Sequence, residues 1–187
     1  MSSRLFVSEL LSDEALAQEV LPTDVEASRA FASPRRRREF LSWRALVYRH
    51  LGRNVRLGYD AAGGPIIEGS ELCLGVSHST DRVAVIISDR PCAVDVEPVG
   101  RNFGRVVAKF LTDEECARFT SQQELAAAWC AKETLYKYAR RQLSFRDDII
   151  VESIDLDAGR IVGRVGGGEA KELNVAIEGD YITVYVD

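Results

Sequence analysis

The chain has 187 residues, enough for one domain or two small, closely packed lobes, and enough to bury a core without disulfides or metal staples. Hydrophobic residues make up 46% and charged residues 28%, a globular balance that excludes disorder, and a formal charge of −5 gives no reason to expect nucleic-acid binding. No stretch approaches the roughly 20 apolar residues that span a bilayer, no signal-peptide pattern opens the chain, and Cys73, Cys92, Cys116 and Cys130 form no C-x-x-C pair. The expectation is a cytoplasmic protein with buried, reduced thiols.

In chain order, the pattern predicts a short strand at Arg4–Val7 and a helix over about Asp13–Leu21. Thr23 and Glu26 have capping-box spacing for a further short helix. Ser33-Pro34 reads as the N-cap and first residue of a longer helix, whose Phe40, Trp43, Val47 and Leu51 recur at helical spacing before Gly52. Candidate strands follow at Val55–Tyr59, Leu72–Val76, Val83–Ser88 and Ala93–Val96, divided by Gly-Gly-Pro, Ser-Thr-Asp and Asp-Arg-Pro. Thr112/Glu115 and Ser121/Glu124 are two more capping boxes, the second ahead of a helix over Gln122–Ala139. Strands are then predicted at Asp148–Ile154, Arg160–Val165, Glu172–Ile177 and Tyr181–Val186. Helices followed by strands occur twice, which argues for an α+β fold of two lobes, 1–97 and 98–187, with no sequence repeat between them.

Three places carry chemistry. In Ala93-Val94-Asp95-Val96-Glu97-Pro98, strand alternation puts Asp95 and Glu97 on one face. Two carboxylates so placed repel unless a cation or protons lie between them, and oxygen-only ligands suit a hard cation such as Mg²⁺; the plainer alternative is a solvated edge-strand face. Trp129, Glu133 and Lys137 recur every four residues along one helical stripe, either as a site or as a surface Glu–Lys pair beside a core tryptophan. Gly75-Val76-Ser77-His78-Ser79 ends a strand in small polar residues around a histidine, able to offer donors to a phosphate or to serve the structure alone.

Ser77-His78-Ser79, then Ala93-Val94-Asp95-Val96-Glu97, then Trp129-x-x-Lys132-Glu133-x-x-x-Lys137 together resemble, in order and spacing, the signatures of Sfp-type 4′-phosphopantetheinyl transferases. Gly63-Gly64-Pro65 is similar to the family's Gly-Lys-Pro turn, and Arg35–Arg38 with Arg44 to its basic N-terminal helix. The resemblance covers about Arg35 to Lys137. It implies two similar lobes related by a pseudo-twofold axis, and transfer of phosphopantetheine from coenzyme A to a serine of an acyl or peptidyl carrier protein, with release of adenosine 3′,5′-bisphosphate. Asp95, Glu97 and Glu133 would bind Mg²⁺, and Glu133, or a metal-bound water it orients, would be the base. Ser77, His78 and Lys137 would contact phosphate oxygens, with His78 and Lys137 counted among the catalytic groups. Arg36, Arg38 and Arg44 are the candidates for the 3′-phosphate of the coenzyme, although Arg37 is the one that shares a helix face with Arg44. Lys132, about 100° around the helix from Glu133, could hold a phosphate or support the site, and support is the expectation.

The chain departs from the family at Gly64, where lysine is common, and after Lys137, where Tyr138-Ala139-Arg140-Arg141 lacks a glycine-rich turn. The implied partners are coenzyme A and a carrier protein, with no nucleic acid or membrane, and a monomer is the simplest assembly. The alternatives are a degenerate relative that only binds coenzyme A or carrier, or a metal-dependent phosphohydrolase.

Overall fold

The computed structural model describes residues 3–187 and divides after Arg90 into two compact units, the second running Pro91–Asp187. In the first, β1 (Arg4–Glu9) leads to α1 (Asp13–Glu19), α2 (Pro22–Ser28) and α3 (Pro34–Leu51). Ser33 caps α3 by accepting from Arg36 N, and Gly52 ends it at φ 87°, a conformation glycine adopts without strain. The short α2 starts at Pro22, not at a Thr23 cap, because Leu21 N donates to the Asp24 carboxylate at 3.2 Å. A small ribbon follows, β2 (Leu57–Tyr59) with β3 (Pro65–Ile67), and then β4 (Cys73–Ser79) and β5 (Arg82–Ser88).

The first unit's sheet is antiparallel in the order β1-β5-β4. Trp43, Leu46 and Val47 of α3 pack with Val83, Val85 and Ile87 of β5, while Phe40, Leu41 and Ala45 pack with Leu16 and Val20. Being covered on two sides explains why α3 is buried continuously from Glu39 to Tyr48.

The second unit is built on β6 (Ala93–Pro98), α4 (Val107–Phe110), α5 (Asp113–Arg118), α6 (Gln122–Ala139), β7 (Ile149–Asp155), β8 (Arg160–Val165), β9 (Lys171–Glu178) and β10 (Tyr181–Val186). Its sheet is antiparallel in the order β6-β10-β9-β8-β7. Asp95 lies opposite Val184, and Glu97 opposite Ile182. This pairing puts β6 in the second unit, whereas the sequence division after Glu97 grouped it with the preceding strands. Pro98 is tolerated because β6 is an edge strand.

Helix α6 lies against this sheet through Ala127, Ala128, Cys130, Ala131 and Leu135, all fully buried. Small residues bring it close, and at Gly163 of β8 a Cβ would meet the Leu135 side chain at 2.9 Å and Ile150 O at 3.1 Å. Both capping boxes expected for α5 and α6 form. The register of β7 shifts between Val151 and Ser153, and Arg118 donates to the carbonyls of Val151 and Glu152 there.

Candidate active site

Strand alternation on β6 sets Asp95 and Glu97 on the same face, and α6 carries Glu133 and Lys137 one turn apart. Asp95 is 5% exposed. Lys137 Nζ donates to Asp95 Oδ1 at 2.7 Å and to Val94 O at 3.1 Å, joining α6 to β6 at this point. Glu97 pairs with Arg101, whose guanidinium also lies 4.7 Å from the Trp129 ring centre.

Glu133 binds its proton far more tightly than an ordinary carboxylate. Burial is the main cause, the charge of Asp95 the next, with Glu97 adding to it and Lys137 and Arg101 opposing; the result is a rise from 4.5 to about 7. The three carboxylates predicted from the sequence therefore act on one another within one unit. Cys130, behind them on α6, has its thiol pushed up by burial and by the charge of Asp95.

All these donors are oxygens, and their mutual repulsion is of the kind a divalent cation relieves, so the set fits Mg²⁺ in chemistry. Among the described residues, no three His, Cys, Asp or Glu side chains are gathered as ligands of an ion. Asp95 and Glu97 are instead drawn to Lys137 and Arg101.

Lys132 precedes Glu133 but faces the interior, fully buried. It donates to Glu115 Oε2 at 2.9 Å, to Phe145 O at 3.0 Å and to Ile149 O. Glu115 also accepts from Val151 N at 2.7 Å and Thr112 N at 2.8 Å. The pair ties α5, α6 and the start of β7 together, which leaves Lys132 no exposed end for a phosphate.

In the first unit, Ser77 and His78 lie on β4, with Ser77 buried and His78 half-buried. His78 Nδ1 lies 3.4 Å from Glu39 Oε2 and Nε2 3.5 Å from Arg36 Nη1, so α3 supplies the setting of the histidine. The other candidate arginines part company. Arg38 donates to Leu11 O at 3.3 Å from an exposed position. Arg44 is 3% exposed, donating to Asp24 Oδ1 at 3.1 Å and Phe40 O at 3.2 Å with its guanidinium over Phe40 and Trp43. Tyr48 OH completes the group by donating to Asp24 Oδ2 at 2.7 Å. Arg44 is thus an interior cation held by Asp24 and Phe40 O, unlike the exposed Arg36 and Arg38.

Three charged residues were not singled out for the site by sequence. Glu39 stands three and four residues after Arg36 and Arg35, a spacing that signals ion pairs but not the contact with His78. Glu115 carries only a capping-box signal in the sequence. Arg101 follows Glu97 through a turn, where no periodicity marks it.

A family model described as the 4′-phosphopantetheinyl transferase superfamily matches residues 91–186, more than half of the chain. The protein belongs to this superfamily, and phosphopantetheinyl transfer is the general activity that membership supports. The match opens at the first residue of the second unit and includes Asp95, Glu97, Glu133 and Lys137. No curated protein matches the chain. Among the described residues no helix is long and apolar enough to cross a membrane.

Proposed function

We propose that the chain is an Sfp-type 4′-phosphopantetheinyl transferase, moving phosphopantetheine from coenzyme A to a serine of an acyl or peptidyl carrier protein. One observation carries this reading: within the segment matched to the superfamily, the buried Asp95, paired with a half-buried Lys137, acts on Glu133, a carboxylate whose proton is held to about pH 7. In the metal-free site Glu133 is thus poised near neutrality, and a cation bound beside it would lower its pKa, favouring the ionised form that deprotonation of a serine hydroxyl needs.

In the proposed reaction the carrier serine oxygen attacks the β-phosphorus of coenzyme A. A serine O–P bond forms, the bond to the bridging pyrophosphate oxygen breaks, and adenosine 3′,5′-bisphosphate leaves. Glu133 takes the serine proton. Lys137 holds Asp95 and presents its charge to phosphate oxygens. Ser77 and His78 serve the pyrophosphate, and Arg36 and Arg38 the 3′-phosphate, while Arg44 is left to the interior. Asp95, Glu97 and Glu133 would hold Mg²⁺, which when bound would neutralise charge on the pyrophosphate oxygens. The two-lobed pseudo-symmetric fold, the coenzyme and the carrier rest on the family resemblance.

Coenzyme A labelled in the pantetheine arm, incubated with apo-carrier proteins of several synthase types, tests the proposal. Mg²⁺-dependent labelling of the carrier is expected. No labelling across several carriers would sink it, and free phosphopantetheine released without carrier would mark a hydrolase instead. Glu133→Gln is expected to slow transfer about 10²–10⁴-fold. Retained metal binding in that variant assigns Glu133 as base, and loss of both assigns it as ligand.

A further inference from the structure

We infer that Glu39 is a positioning residue for coenzyme A binding, holding Arg35 and Arg36 directly, and Arg36 also through His78, so that the two exposed guanidiniums of the first unit are ordered for a phosphate. The inference rests on the proposed function for its ligand, and on the geometry of α3 and β4 for its mechanism.

A buried carboxylate shared by two exposed arginines and a histidine needs an explanation. The Glu39 side chain is 4% exposed, against 56% for Arg35, 57% for Arg36 and 32% for His78. It accepts from Arg35 Nε at 2.8 Å and Arg36 Nη1 at 3.3 Å, and lies 3.4 Å from His78 Nδ1. Three donors on two elements thus converge on one carboxylate. Arginine side chains are rotamer-rich, so restraining them in the free protein lowers the ordering cost when an anion arrives. With the proton on Nδ1 the ring donates toward the Glu39 carboxylate, and Nε2, 3.5 Å from Arg36 Nη1, is left to accept.

The two physical effects of Glu39 have opposite signs. As a bare negative charge it repels a phosphate, so its removal would tighten coenzyme binding. As an aligning group it favours binding, so its removal weakens it. The side chains it holds make direct contact with it, and we assign the second effect as dominant.

Coenzyme A affinity by calorimetry and steady-state kinetics on the full chain decide this. Glu39→Gln is expected to raise the Kd and KM for coenzyme A about tenfold, with kcat and the KM for apo-carrier within about twofold. In a His78→Ala background the same change is expected to cost clearly less, because part of its route runs through the ring. Unchanged or tighter coenzyme binding, or fully additive losses, would overturn the inference. If wild-type protein neither binds coenzyme A nor transfers from it, the proposed function falls and this inference with it; if wild type binds and Glu39→Gln binds equally, the inference alone falls. The chain has 2 histidines, so long-range ¹H–¹⁵N spectra of wild type resolve the ring state even where a variant fails to fold. A protonated Nδ1 on His78 is expected, and an Nε2–H tautomer with bare Nδ1 overturns the proposal.

Discussion

On α6 two lysines meet two buried carboxylates, in contrasting surroundings. Lys132 and Glu115 are both fully buried, and the lysine's three acceptors lie on α5, before β7 and at its start, while the carboxylate also takes two backbone N–H groups. Lys137, five residues along, is 32% exposed on its side chain and serves Asp95 and Val94 O. Beside this second pair lies an excess of negative charge, and Glu133 bears it by holding its proton up to about pH 7. A buried ion pair with its hydrogen-bonding capacity filled joins elements of the fold. One with surplus carboxylates costs stability and keeps a proton exchangeable, which suits chemistry.

The largest effect is expected where the contrast is sharpest. Lys132→Met removes one partner and leaves Glu115 charged inside the second unit, which costs roughly 3–5 kcal/mol. Urea unfolding of the full chain measures it, and a loss below about 1 kcal/mol would show that the pair is not the joint described here.

Glu133 carries the opposite sign. Its pKa lies above the ordinary 4.5, at about 7, so between those values the folded state binds more protons than the unfolded one. Stability contributed by that proton is full below the ordinary value and is lost as pH rises through about 7. In metal-free buffer, Glu133→Gln is expected to gain on the order of 3 kcal/mol at pH 8 and nothing near pH 4. Denaturation at the two pH values measures it, and a variant less stable than wild type at pH 8 would refute the charge crowding.

The same helix shows what local pattern reveals. Its start was legible because Ser121 and Glu124 form a capping box, and the stripe of Trp129, Glu133 and Lys137 follows from helical geometry. A supporting role for Lys132 is readable from its place on the helix but its full burial is not, because Glu115 and the two carbonyls that hold it come from separate elements and leave no periodic trace. Strand β6 was recognised and its unit was not, because its partner β10 lies at the far end of the chain. Arg44 shows the same limit: its helical position was readable, but its pairing with Asp24 depends on how α2 packs against α3. The elements β3 and α4 were missed, one of three residues opening on a proline and the other of four, both too short for a period to register.

The smallest expected effect separates the two lysine sites by kinetics. Arg101 opposes the rise in the Glu133 pKa, and it pairs with Glu97 at a 40% exposed side chain, where solvent screens it. Arg101→Ala therefore raises the Glu133 pKa further. If Glu133 must be ionised to accept the serine proton, the acid limb of the kcat/KM profile moves to higher pH, by about 0.3 units at low salt and less at high salt. Lys132 is not among the groups that act most strongly on Glu133, so Lys132→Met, assayed below its unfolding temperature, should leave that limb in place. An unmoved limb in Arg101→Ala, or a moved one in Lys132→Met, would mean that the filled and the charge-crowded sites are not electrostatically separate, and the contrast along α6 would fail.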